Sequence, residues 1–339
     1  MFHNYQKKVA CYLLLLWIGY CRSSWYYKPR TGQKGIKAST YTYKTDGSLV
    51  TNEYVLQDIK RILTGDLEFY GYEKVTWELH DLGYIINKKK VYRLMNEASL
   101  LLIINRIKTK GSRRFVQFRC IDAQKPLQYL VMDIKYIYIN QENRFAYLLT
   151  VLDVCTRFAL GFTLKYSIKK HDVILLLDGI LQGVKTEGII IRNDNGSQFL
   201  AHNVRQYLNA NNITQEFTHI ATPEENAYIE SFHSNITREL INRCWFDSIY
   251  HARMKIQEYY RIYNYKRKHR SLKRKSPFQY LKSFFPEFSD KHPFAFSDPL
   301  SRVALDAGQD FEATCLALDK VKDENATFVS SENREILQN

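Results

Sequence analysis

Between residues 129 and 218 the chain passes through a series of short apolar segments whose order leaves few sheets to choose from: strands first, then strands separated by helices. Tyr129–Ile139 and Phe145–Val154 are dense in Ile, Val, Leu and Tyr, residues that suit a pleated, half-buried surface. The polar stretch Asn140, Gln141, Glu142, Asn143 between them predicts a hairpin turn. A third strand is expected at Ala159–Lys165, followed by a helix around Asp172–Gly183, a strand at Gly188–Ile191, a helix near Asn203–Ala210 and a strand near Thr214–Thr218. Three antiparallel strands followed by parallel ones with helical crossovers predict an α/β domain, a mixed sheet flanked by helices. Long helices over about 227–242 and 250–263 close that core.

Upstream the pattern differs. Residues 29–50 are rich in turn formers and basic residues and read as a linker. Helical periodicity then predicts helices at Glu53–Leu63, Tyr72–Leu82 and Lys88–Ala98, with Asp81, Leu82, Gly83 and Tyr84 as a tight turn between the last two. This is a helix-turn-helix arrangement: Val75, Leu79, Val91, Leu94 and Met95 face a small core, and Lys88, Lys89, Lys90 and Arg93 lie on the helix that would meet a DNA groove. Three-helix units also occur without any DNA-binding role.

Charge points to the class of partner. The formal net charge is +14, but residues 286–339 carry 5 Lys/Arg against 11 Asp/Glu, so the body before them carries +20. Lys and Arg interleaved with Tyr and Phe at that excess suit a polyanion, because each phosphate neutralised releases condensed counterions. The six cysteines form no CxxC pair and no Cys/His block at zinc spacing, and read as reduced thiols of a cytoplasmic protein. Val9–Cys21, preceded by Lys7 and Lys8, looks like a short signal-peptide core, but the small-x-small cleavage pattern does not follow it and it is too short to span a bilayer comfortably.

Three carboxylates carry the chemistry. Asp133 interrupts the apolar run Leu130, Val131, Met132, Asp133, Ile134, where a lone carboxylate is costly unless a cation or hydrogen-bond donors compensate it. Asp194 follows the strand Gly188–Ile191, at the carboxyl end where open α/β sheets place ligands. Taken separately, each also suits a surface or turn-capping role. Glu230 joins them from a helix opening at Pro223, in which Ile229, Phe232, Ile236 and Leu240 form one apolar stripe, while Glu230, His233, Ser234 and Thr237 fall on another face. Packed by its stripe, that helix delivers Glu230 toward the strand ends, and three converging carboxylates can hold divalent cations.

Residues 51–281 resemble the second-reading-frame transposases of the large insertion-sequence family whose core is similar to retroviral integrase. The family's two Asp and a Glu after 35 intervening residues are met by Asp133, Asp194 and Glu230. Asn193–Phe199 matches around the second Asp and Glu230, Ser231, Phe232 around the Glu. Tyr70, Gly71, Tyr72 and Val91–Met95 match in the helix-turn-helix, as do Asp153 with Arg157, and Tyr263, Asn264 with Arg267, His269, Arg270, Ser271 and Leu272. Gly19–Tyr27 also resembles the family's segment before the helix-turn-helix, against the signal-peptide reading. Two positions depart: Leu130 stands where an aromatic is usual, and Thr237, with Arg238 beside it, where a basic residue is usual.

The resemblance implies a ribonuclease H-like fold and divides the chain into an N-terminal helical segment and basic linker (1–50), a helix-turn-helix DNA-binding domain (51–105), an integrase-type catalytic core (120–285) and an acidic tail (286–339). It implies Mg²⁺, with Mn²⁺ as a substitute, held by Asp133, Asp194 and Glu230, and nicking and strand transfer at one site. No covalent protein intermediate is needed, so none of the 25 tyrosines is sought as a nucleophile. The expected partners are double-stranded DNA at element ends and target, further copies of the chain on that DNA, and the product of a preceding reading frame, with no membrane. Asn195, Gln198, Arg238, Arg267, His269 and Arg270 are the further DNA contacts expected, the guanidinium fork matching phosphate. Two other readings stay open: a non-catalytic DNA-binding regulator or inactive transposase remnant, and a nuclease of the same fold without strand transfer.

Overall fold

The structure is a computed structural model that describes residues 9–27, 38–102, 120–182, 184–219 and 222–284. The acidic tail and the segment between the two expected domains lie outside the described residues. Two short helices come first, α1 (Cys11–Trp17) and α2 (Arg22–Trp25). Of the stretch read as a linker, residues 29–37 lie outside the described residues, and the rest forms a hairpin: β1 (Tyr41–Lys44) and β2 (Leu49–Thr51) turn at Gly47, whose φ of 83° suits a residue without a Cβ. Turn formers signal a hairpin and a linker alike, and strands this short leave no period to distinguish them.

Three helices follow, α3 (Asn52–Leu63), α4 (Tyr72–Asp81) and α5 (Lys88–Glu97), with the two-residue strand β3 (Tyr84–Ile85) in the turn between the last two. Strand β3 pairs with β1, giving a small antiparallel sheet in the order β2-β1-β3. Val55 and Ile59 of α3, Val75 and Leu79 of α4, and Val91, Leu94 and Met95 of α5 pack as one buried cluster. Gly83 takes a φ of 82°, and a Cβ there would come within 2.9 Å of the Thr45 hydroxyl, so glycine is required where the turn meets the hairpin.

The core is a five-stranded sheet in the order β6-β5-β4-β7-β8, built from β4 (Tyr129–Ile139), β5 (Arg144–Asp153), β6 (Ala159–Lys165), β7 (Ile190–Asn193) and β8 (Thr214–Phe217). The first three are antiparallel and β7 and β8 join β4 in parallel, the mixed order of a ribonuclease H-like fold. Helix α6 (Lys170–Leu181) crosses over to β7, and α7 (Ser197–Leu200) and α8 (His202–Ala210) to β8. They cover the face that carries Leu130 and Met132. Helices α9 (Ala227–Glu239) and α10 (Ile249–Tyr265) cover the face that carries Val131 and Ile137, and the short α11 (Pro277–Leu281) packs on the first face. Residues buried on both faces explain why Leu130–Met132 reads as a continuous apolar run.

The helical domain docks on α10 and the segment after it. Ile262 of α10 is part of the small domain's core. The Tyr70 hydroxyl accepts from the Lys268 backbone N–H at 2.8 Å, Asp66 pairs with Arg261 and Lys266, and the buried Lys268 ammonium pairs with Asp81 and with Glu78 at 3.1 Å. Among the described residues no helix is long and apolar enough to cross a membrane.

Candidate active site

Strand β4 outruns its parallel neighbour. Its ladder to β7 covers only residues 129–131, whereas its antiparallel ladder to β5 continues to Ile139. The β4 edge from Asp133 onward therefore borders a groove of about 580 Å³, lined by Asp133, Glu230, His233, Thr237 and Arg238 among others. Strand alternation puts Asp133 on the face of Val131, the face that α9 covers.

Each of the other carboxylates is aimed at this edge by a local device. Asp194 is the first residue beyond β7, and its Oδ1 accepts from the Gly196 N–H at 3.0 Å. A Cβ on Gly196 would displace the end of the Gln198 side chain and sit 3.0 Å from the same oxygen, so the loop is tight at this position. Asn195 ties the loop to β8 by donating to the Thr218 carbonyl at 3.0 Å. Glu230 stands in the first turn of α9, which begins at Ala227; Pro223–Asn226 forms a 3₁₀ turn before it rather than the helix start expected. That turn is fixed from β7 and β8: the buried Arg192 donates to the Glu225 carbonyl at 3.1 Å, and the Glu225 carboxylate accepts from the His219 N–H at 2.9 Å. The apolar stripe Ile229, Phe232, Ile236, Leu240 is buried as its spacing required.

The electrostatics are those of like charges gathered at one edge. Burial pushes the Asp194 carboxyl above its ordinary value, and the charge of Asp133 adds to this against the Gly196 hydrogen bond. Glu230 is raised by burial and then by Asp133 and Glu224, with His233 opposing. Asp133 thus acts on both partners. Three carboxylates offering only hard oxygen donors suit a hard divalent cation. Among the described residues, however, no three His, Cys, Asp or Glu side chains lie close enough to hold one, so the carboxylates share an edge without closing on a point.

One neighbour was not singled out in the sequence. His233, one turn after Glu230, is buried; its Nδ1 is 3.4 Å from Asp133 Oδ2 and its Nε2 is 3.4 Å from the Thr150 hydroxyl, which meets the Tyr260 hydroxyl at 2.7 Å. Its spacing had placed it with Glu230, Ser234 and Thr237 on one face of the helix, and all four line the groove together.

The expected DNA contacts separate into two groups. Arg267 is corrected: its guanidinium is buried and grips Glu239 through Nε at 2.8 Å and Nη2 at 2.7 Å, leaving no surface for a phosphate. His269 is corrected as well: burial and the charge of Arg267 push its pKa down to about 2, and its ring meets Tyr263 edge to face. On α5, Lys90 donates to the Tyr41 carbonyl at 2.6 Å and Arg93 to the Ser39 carbonyl at 2.9 Å, so both hold the hairpin against the helix. Lys88 pairs with Glu73 at 2.8 Å, while Lys89 and Arg270 are exposed. Gln198 is half-buried beside Gly196, and Arg238, exposed at the groove, donates to Asn235 at 2.8 Å.

Comparison with known proteins finds two kinds of domain in the chain. Two integrase core domain families match residues 123–223 and 211–277, and an HTH-like domain family matches residues 51–108. The chain thus carries an HTH-like domain and an integrase core domain. It is 28% identical over 241 residues to the transposase for insertion sequence element IS904 of Lactococcus lactis, covering 67% of this chain and 93% of that one. It is 30% identical over 224 residues to an uncharacterized protein of insertion element IS476 of Xanthomonas euvesicatoria, covering 63% and 61%. The magnesium complex of the HTLV-2 integrase catalytic core is 14% identical, covers 47% of this chain and 98% of that one, and has a TM-score of 0.35. Two positions that carry the resemblance have physical reasons here. Asn264 reaches from α10 to bond both the N–H and the carbonyl of Ala159, each at 2.9 Å, and Asp153 accepts from the Leu127 and Thr156 N–H groups.

Proposed function

We propose that this protein is a transposase that nicks DNA at element ends and joins the freed 3′ end to a target, with Asp133, Asp194 and Glu230 as the catalytic carboxylates. The observation that carries the reading is the free edge of β4, where Asp133 raises both Asp194 and Glu230. A cation would relieve such mutual repulsion, and the hard oxygen donors of these three residues would suit Mg²⁺ or Mn²⁺ once drawn together around it. When bound, the ion supplies activation of the attacking oxygen and neutralisation of charge at the scissile phosphate.

The chain's own residues supply the rest. Asp133 is oriented from below by His233, so its carboxylate keeps one face toward the groove. The Gly196 N–H fixes Asp194, and the Arg192 to Glu225 tie fixes the start of the Glu230 helix. Arg238, at the groove's rim beside Thr237, is placed to take a phosphate of the bound strand. Lys89 and Arg270 are the exposed cations placed to hold duplex DNA, with several copies of the chain assembling on it.

Incubating the protein with labelled duplex carrying its element ends and Mg²⁺ tests this directly. Nicked ends and joined products are the expected result. Nicking without joining would favour a plain nuclease, and binding without either would favour a non-catalytic regulator.

A further inference from the structure

Where the helix-turn-helix domain meets the segment after α10, a cleft of about 760 Å³ opens between them. Trp77 of α4 and Lys88 at the start of α5 line it from one side; Arg270, Lys273 and Arg274 line it from the other. One carboxylate, Glu73, also lines it, and that group is paired with Lys88 at 2.8 Å, which holds it below its ordinary value. Three cations, Arg270, Lys273 and Arg274, beside one Lys88–Glu73 ion pair leave a positive concavity, which focuses the field on an entering anion.

The far wall is built to stay in place. The loop from His269 to Lys275 is closed by the His269 N–H donating to the Lys275 carbonyl at 3.0 Å and the Arg274 N–H donating to the His269 carbonyl at 2.9 Å. Lys273 and Arg274 both sit in the left-handed region, with φ of 54° and 65°, a conformation rarely adopted by two successive residues with side chains. Arg274 lies over the Trp77 ring at 5.8 Å, so a cation from the core segment is seated on the helical domain. The three core cations are exposed, and their charge has no role in the packing of the sheet.

We propose that this cleft is a phosphate-binding site for duplex DNA, in which the backbone beside the groove entered by α5 is gripped by Arg270, Lys273 and Arg274. The site is composite: the helical domain supplies the helix that meets the groove and the core supplies the cations that clamp the flanking phosphates. DNA held there fixes the two domains in their docked arrangement, and so fixes the path from the bound end toward the active site. The inference rests on the DNA-binding reading given above.

The test is duplex binding by fluorescence anisotropy across a salt series, comparing the full chain with Arg270→Gln/Lys273→Gln/Arg274→Gln and with a control, Lys60→Gln/Lys185→Gln/Lys255→Gln, that removes the same charge elsewhere. The cleft variant should bind about tenfold more weakly or worse, with a salt slope smaller by about 1 for each phosphate no longer neutralised, and the control should weaken clearly less. Equal weakening in the two variants, or none in the first, would overturn the proposal while leaving a DNA-binding protein. A wild-type chain that binds no duplex would overturn the functional reading itself. Tryptophan emission gives a second reading independent of the charge variants: DNA should change it in the wild type, and Trp77→Phe should remove that change. A change that persists in full in Trp77→Phe would place the DNA elsewhere.

Discussion

Nδ1 of His233 lies 3.4 Å from Oδ2 of Asp133, so the carboxylate that bears on both of its partners is itself held by a buried imidazole. Because Nε2 of the same ring faces Thr150, and Thr150 faces Tyr260, the orientation of Asp133 is anchored through β5 to α10.

His233→Phe keeps the apolar packing of α9 but removes both polar interactions of the ring. Its expected effect is a loss of roughly 10- to 100-fold in cleavage rate, as for other partners that orient a metal-ligating group. The loss should appear in kcat with duplex affinity unchanged. Single-turnover cleavage at saturating DNA measures it, and an unaltered rate would show that Asp133 needs no support from the ring.

The Arg267–Glu239 pair predicts a stability effect in place of a binding effect. Removing one partner of a buried ion pair costs about 3–5 kcal/mol. Arg267→Met should therefore lower Tm by roughly 10 °C. Arg267→Lys should rescue little of this, since an ammonium cannot reproduce the two-point grip on Glu239. Burial alone would raise the Glu239 carboxyl, but hydrogen bonds and charge from Arg267, with Lys74 behind, outweigh it and hold the pKa below the ordinary value. A depressed folded pKa means stability that is present at neutral pH and lost as pH falls through it. Glu239→Gln should remove that part of the acid-side loss, below about pH 4, which thermal melts across pH would register.

At the candidate active site the sign is opposite. Asp194 and Glu230 are raised in the folded protein by burial and by Asp133, so stability is lost as pH rises through their folded values. Asp194→Asn is expected to raise the Tm of metal-free protein at pH 7, by relieving like-charge repulsion. Mg²⁺ should raise the Tm of the wild type, as any ligand of the folded state does. The same ion should raise that of the variant much less. Equal Mg²⁺ shifts in both would remove Asp194 from the ion's site.

On α5, Lys89 should behave differently from its neighbours. Lys89→Ala is expected to reduce the salt slope of duplex binding by about 1 without other consequence. Lys90→Met and Arg93→Met should release the Ser39–Tyr41 backbone that they hold, seen as faster amide exchange or proteolysis in the hairpin. An identical effect of all three on the salt slope alone would return Lys90 and Arg93 to the DNA-facing surface.

What the sequence made legible follows from period and spacing. Strands β4 and β6 are found at the predicted residues, because long apolar runs flanked by polar turns have one reading. The three carboxylates stood out because a charge inside an apolar strand, a charge at a strand's end and a charge in the first turn of a striped helix each require a reason. The hairpin at 41–51 was missed because its strands are only four and three residues long. Arg267 was misread because a guanidinium suits phosphate and carboxylate equally, and Glu239, its partner, lies 28 residues away. Distance in sequence conceals such pairs, as it conceals Lys268 with Asp81 across the domain junction.

The most direct measurement compares Asp133→Asn, Asp194→Asn and Glu230→Gln with the wild type in two assays on one labelled element-end duplex: binding without metal, and nicking with Mg²⁺. All three variants should bind with near wild-type affinity, since Lys89 and Arg270 lie away from the carboxylates, and none should nick above background. Near-normal nicking by any one of them would contradict the assignment of that residue, and near-normal nicking by Asp133→Asn would contradict the whole account of the site.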